Sequence, residues 1–72
     1  MSTRPVKHSV TLKGHRTSIS LEPEFWKAFR EIARIRKMPL NALTAEIDAA
    51  RGIERGLASA IRVYVLEWHQ AQ

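Results

Sequence analysis

The stretch Arg16-Thr17-Ser18-Ile19-Ser20-Leu21-Glu22-Pro23-Glu24-Phe25-Trp26 changes its period in the middle. Up to Leu21 polar and apolar residues alternate, with Thr17, Ile19 and Leu21 on one parity and Arg16, Ser18 and Ser20 on the other. A period of two, rich in β-branched residues, specifies a strand with one buried face. Pro23 then stands where a first helical residue tolerates proline, since its φ is pre-set and its missing N–H is harmless there. Behind it Phe25, Phe29 and Ile32 recur at helical spacing, with Trp26 and Ala33 widening the stripe. Glu22 and Glu24 suit the positive end of the helix dipole, and Arg34, Arg36 and Lys37 the negative end. The reading is a strand over about 16–21 and a helix over about 23–36.

Downstream, Lys37-Met38-Pro39 breaks the helical pattern and Pro39 can open a second helix, expected over about 39–51, with Leu40, Leu43 and Ile47 on one face. Gly52 is a natural left-handed cap for it. Residues 52–56 read as a connection, and a third helix is expected over about 57–70. Leu57, Ile61, Tyr64, Val65 and Trp68 form its main stripe, while Val63 and Leu66 lie off it. That surplus of apolar surface suits a second subunit or a partner. Upstream, Val6, His8, Val10 and Leu12 alternate with Lys7, Ser9, Thr11 and Lys13 before Gly14. Residues 1–15 are therefore a basic arm or a first strand, and residues 16–72 the domain proper. The class is mainly α with a short N-terminal β ribbon.

The chain has 72 residues, no cysteine, and 12 Lys+Arg against 7 Asp+Glu, for a formal charge of +5. This length allows one domain and buries only about 60% of the unfolded surface. Disulfides and thiolate metal sites are excluded, which leaves oligomerisation as the staple for a small core. Positive charge is concentrated at one end: residues 1–16 hold Arg4, Lys7, Lys13 and Arg16 and no acid. Such a footprint suits a polyanion, most often nucleic acid. No apolar run approaches the ~18 residues of a membrane span, no leader-like core follows the start, and the basic end lacks an amphipathic stripe for a membrane surface. The expectation is a cytoplasmic protein without a membrane role. His8, His15 and His69 show no helical ligand spacing, so no metal site is expected. Nothing resembles a nucleophile elbow or a phosphate-cradling glycine loop, so neither an enzyme nor a cofactor is expected.

A lone strand leaves its backbone groups unpaired. Residues 6–12 could fold back through Lys13-Gly14-His15 as a hairpin, or residues 16–21 of two chains could pair across a two-fold axis. The second solution also lets the helices of both subunits share one core, and a two-stranded ribbon of this kind has the width to enter the DNA major groove.

Thr-Ser-Ile-Ser-Leu-Glu-Pro-Glu-Phe-Trp at 17–26 and Leu-Asn-Ala-Leu at 40–43 resemble the ribbon-helix-helix class. The stretches Ser-Val-Thr-Leu-Lys-Gly-His-Arg-Thr-Ser and Ser-Ala-Ile-Arg-Val-Tyr-Val-Leu-Glu are similar to a subfamily of small bacterial proteins of that class with an extra C-terminal helix. The resemblance covers roughly residues 7–68. It implies a β-α-α(-α) intertwined homodimer that binds double-stranded DNA and regulates transcription as a repressor, with tetramers on DNA left open. It implies base contacts from Arg16, Ser18 and Ser20. Phosphate contacts would come from backbone N–H groups at Leu40 and Asn41, joined by Lys7 and Lys13. Ile19, Leu21, Phe25, Phe29, Ile32, Leu43 and Ile47 would form the dimer core. With one arginine and two serines facing out, base discrimination would rest mostly on Arg16. The alternative is an interaction module such as an antitoxin, whose C-terminal helix binds a protein partner through Val63 and Leu66.

Overall fold

Two strands and three helices follow one another: β1 (Val6–Leu12), β2 (His15–Leu21), α1 (Pro23–Ile35), α2 (Leu40–Ala50) and α3 (Leu57–Gln70). The computed structural model describes residues 4–72; residues 1–3, the start of the expected basic arm, lie outside the described residues. A β ribbon ahead of the helices is the expected order. Of the two ways to pair it, the chain takes the first. β1 and β2 form an antiparallel hairpin within the chain, in register Leu12 with His15, Val10 with Thr17, His8 with Ile19 and Val6 with Leu21. The two-residue turn is Lys13-Gly14, with φ of 53° and 79°. Positive φ at both central residues is what a type I′ turn demands, and its twist matches that of the strands.

The helices owe their ends to identifiable residues. Pro23 occupies the first turn of α1, and the Glu22 carbonyl accepts the Trp26 N–H at 2.9 Å. At the other end the Lys37 N–H donates to the Arg34 carbonyl and the Met38 N–H to the Ala33 carbonyl, at 3.1 and 3.0 Å. That pair of bonds is a Schellman motif. Its left-handed residue is Lys37, at φ 56°, where glycine is the usual choice. Gly52 takes the left-handed position after α2, with φ 75°.

The hydrophobic core closes inside one chain. Of the seven expected dimer-core residues, Ile19, Leu21, Phe29, Ile32, Leu43 and Ile47 are buried, while Phe25 is half-buried at its edge. What covers them is β1 through Val10 and α3 through Ala60, Ile61 and Val65, rather than a second chain. The shared core expected from chain length is thus supplied by α3, which packs on α1, α2 and β2. Thr44 is fully buried, and its hydroxyl donates to the Leu40 carbonyl at 2.8 Å, which removes the cost of an unpaired polar group. Beneath the ribbon the His8 ring stacks on Trp26, with centroids 3.8 Å apart and planes 7° from parallel.

Two arginine clasps tie the layers together. Arg62 on α3 donates from Nε to Glu22 at 2.9 Å and from Nη2 to the Ser20 carbonyl at 3.2 Å. Arg36 donates to both oxygens of Glu46, at 2.6 and 3.2 Å, and to the Tyr64 hydroxyl at 2.9 Å, joining the end of α1 to α2 and α3. Among the described residues no helix is long and apolar enough to cross a membrane.

Two stability measurements follow. Ile61→Ala leaves a cavity in the closed core and should cost about 2–4 kcal/mol in urea unfolding; a loss under about 1 kcal/mol would mean that α3 is no part of the core. Lys37→Gly removes the left-handed strain at the end of α1 and should raise stability by about 0.5–1 kcal/mol. An unchanged or lowered urea midpoint would show that the lysine there carries no backbone strain.

Candidate nucleic-acid interface

Because a two-residue turn makes Leu12 and His15 a hydrogen-bonded pair, the pairs Thr11–Arg16, Ser9–Ser18 and Lys7–Ser20 are the non-hydrogen-bonded ones. These three pairs are also the exposed ones: Lys7, Ser9 and Thr11 of β1 and Arg16, Ser18 and Ser20 of β2 all face solvent. In such pairs the Cα atoms stand about 4.5 Å apart, so the six side chains form one dense polar surface. The sequence-predicted base contacts Arg16, Ser18 and Ser20 therefore lie together on one face. Ser9 and Thr11 join them from the same chain. Their parity with Lys7 and Lys13 was visible in the sequence; their pairing with β2 was not.

Non-hydrogen-bonded residues point their backbone groups at the ribbon edges, and a helix side chain meets one group on each edge. The Thr11 N–H donates to Asn41 Oδ1 at 3.1 Å, and the Ser20 carbonyl accepts from Arg62 as described. These clips limit unwanted pairing at the edges and fix the ribbon against its helices. Arg62 was missed in the sequence because its partner Glu22 lies 40 positions away. No local pattern marks it.

The Asn41 contact also brings the start of α2 beside the Thr11–Arg16 pair. Pro39 precedes α2, and its carbonyl accepts from Ala42 and Leu43. Among the described residues the Leu40 and Asn41 N–H groups meet no acceptor, so two donors stay available at a helix N-terminus. Both expected phosphate-contact positions thus sit at the β1 edge of the ribbon. Lys7 stands at one end of the exposed face and Arg16 near the other. Lys13, at the turn, lies 3.9 Å from Asp48 with its side chain 70% exposed, a solvent-screened contact that an anion can displace.

The electrostatics follow from where the acids are held. Residues 4–21 include none. Glu22, Glu31 and Glu46 accept hydrogen bonds from Arg62, Arg34 and Arg36, which hold their carboxyls below the usual carboxylate range. They stay ionised and neutralised by those partners at neutral pH. Asp48 accepts from Arg51 Nε at 2.7 Å. The ribbon's cations therefore keep their field: among the described residues Lys7 and Arg16 have no ion-pair partner. An acid-free, two-stranded face, cationic at both ends and flanked by free N–H donors, has the chemistry to lie along a nucleic-acid groove.

No curated protein and no solved structure matches the chain. A family match covers residues 5–69, nearly all of the described chain and every element of the ribbon and its helices but the last residue of α3. The protein belongs to the ribbon-helix-helix domain family, whose members are generally DNA-binding transcription regulators or antitoxins.

Proposed function

We propose that the protein is a homodimeric, cytoplasmic DNA-binding regulator that lays the exposed face of its β1–β2 ribbon into the major groove. The observation that carries this reading is the acid-free face formed by Lys7, Ser9, Thr11, Arg16, Ser18 and Ser20. Arg16 reads guanine through O6 and N7, the one strongly discriminating contact available on the face. The serine and threonine hydroxyls donate or accept with little selectivity and chiefly fix register. Lys7, Lys13 and the N–H groups of Leu40 and Asn41 hold phosphates on either side. Each subunit brings a complete ribbon, so a two-fold dimer reads two half-sites and its operator is palindromic. Repression then follows from occupancy of a promoter. The antitoxin-like reading has less support. Ala60, Ile61 and Val65 bind α3 into the core, so the helix is no detachable arm, and Leu66 alone of its apolar residues is more than half exposed, at 54%.

The test is DNA binding by the full chain across a salt series, with random genomic fragments offered so that a preferred site emerges. Two phosphate-binding cations per subunit, Lys7 and Lys13, predict a slope of log K against log salt of about −1.8 for each subunit engaged. Arg16→Ala should weaken the preferred site by about 5–150-fold while random duplex loses far less. Equal losses on both would remove Arg16 as the reader, and a flat salt dependence would remove the phosphate contacts.

A further inference from the structure

Lys37 ends α1 in a conformation that glycine adopts more easily, and it continues a row. Lys27, Arg30 and Arg34 follow at spacings of three and four, which puts them along one stripe of the helix, and Lys37 stands just past its end. All four are exposed, and the three within the helix lie on the side away from the buried Phe29, Ile32 and Ala33. One acid interrupts the stripe: Glu31, which accepts from Arg34 Nε at 3.1 Å. Among the described residues Lys27, Arg30 and Lys37 have no ion-pair partner. An open groove of about 470 Å³ lies between Lys27, Arg30, Glu31 and Arg34.

Nothing in the local charge count announces this face. Residues 17–48 balance five bases with five acids. The balance is broken in space, because Glu22 is turned to Arg62, Glu46 to Arg36 and Asp48 to Arg51. Glu24 is left at the groove between α1 and α3. The outer side of α1 and its end thereby hold four bases, Lys27, Arg30, Arg34 and Lys37, against Glu31 and, toward α3, Glu24, which lines the same groove as Lys27 and Glu31. Lys13 and Lys37 are also the two non-glycine residues with positive φ among the described ones. Residues held in such conformations concentrate at working sites; here one stands at the ribbon turn and the other at the end of the basic stripe.

We propose that this outer face of α1 is a second phosphate-binding surface, which holds the backbone of a second DNA segment without reading its sequence. The inference rests on the ribbon being the first DNA contact. α1 lies behind the ribbon: Trp26 stacks on His8, an inward-facing residue of β1. A duplex seated on the exposed ribbon face lies across the sheet from α1, which leaves the stripe for another segment. Flexible lysine and arginine heads at helical spacing, with no hydrogen-bond framework of fixed geometry, suit phosphates of any sequence. The protein would then draw two duplexes, or two parts of one, together.

The test uses two random duplexes of about 100 base pairs, one on beads and one labelled and free, mixed with the full chain at about 50 mM salt. Wild type should carry the labelled duplex onto the beads. The triple variant Lys27→Gln/Arg30→Gln/Lys37→Gln should still shift a single duplex in a gel and sediment as the wild type does. Its capture of the second duplex should fall by about tenfold or more. Undiminished capture by a folded triple variant overturns the second surface and leaves the ribbon reading standing. Wild-type protein that shifts no duplex at this salt overturns both. If the triple substitution instead abolishes binding to phosphatidylglycerol vesicles and leaves DNA capture intact, the face belongs to a membrane surface and the proposal is wrong.

Discussion

The turn at Lys13-Gly14 is the constraint on which the rest of the structure depends. Its two positive φ angles close β1 onto β2 within the chain and set Thr11 opposite Arg16. Because side chains alternate with a period of two, a slip of one residue would turn Arg16, Ser18 and Ser20 inward and Ile19 outward. The register therefore decides at one stroke which residues seal the core and which meet solvent. With the ribbon complete, its inner face needs a cover. The helices provide it from the same chain, α3 supplying Ala60, Ile61 and Val65.

The charge pattern is a second consequence of that packing. The helices dock through Arg62 on Glu22 and Arg36 on Glu46, so the acids are held at the joints between elements. Among the described residues most of the cations without ion-pair partners lie on or beside the ribbon and along α1, with Arg55 in the loop between α2 and α3. A net charge of +5 is modest for a DNA-binding chain. Its effect is larger than the total suggests, because the outward faces hold mainly one sign.

How much of this was legible in the sequence depends on the range of the signal. The parity of residues 16–21 and the 3.6-residue spacing of Phe25, Phe29 and Ile32 are local, and the strand and first helix follow from them. Gly52 likewise marks the end of α2 through its own conformational freedom, borne out by its φ of 75°. The hairpin was only half legible. Lys13 occupies a turn position where asparagine or aspartate would have announced a type I′ turn, so a pairing between chains, which also offers a small chain a shared core, stood as the preferred reading. The role of α3 was hidden for another reason: an apolar stripe says that a helix packs but not on what. Length then suggested a second chain as the cover for Leu21 and Phe29. The grip of Arg62 on Ser20 and Glu22, and the sorting of acids from bases around α1, arise only when distant segments meet.

The central claim is that one chain builds the whole ribbon. An isotope-filtered NOE experiment on an equal mixture of labelled and unlabelled protein tests it most directly. In a non-hydrogen-bonded antiparallel pair the facing Hα atoms are close enough for a strong cross-peak. The account predicts a strong Ser9–Ser18 Hα cross-peak within labelled chains and none between labelled and unlabelled ones. Loss of that cross-peak, with contacts between strands 16–21 of different chains in its place, would contradict it.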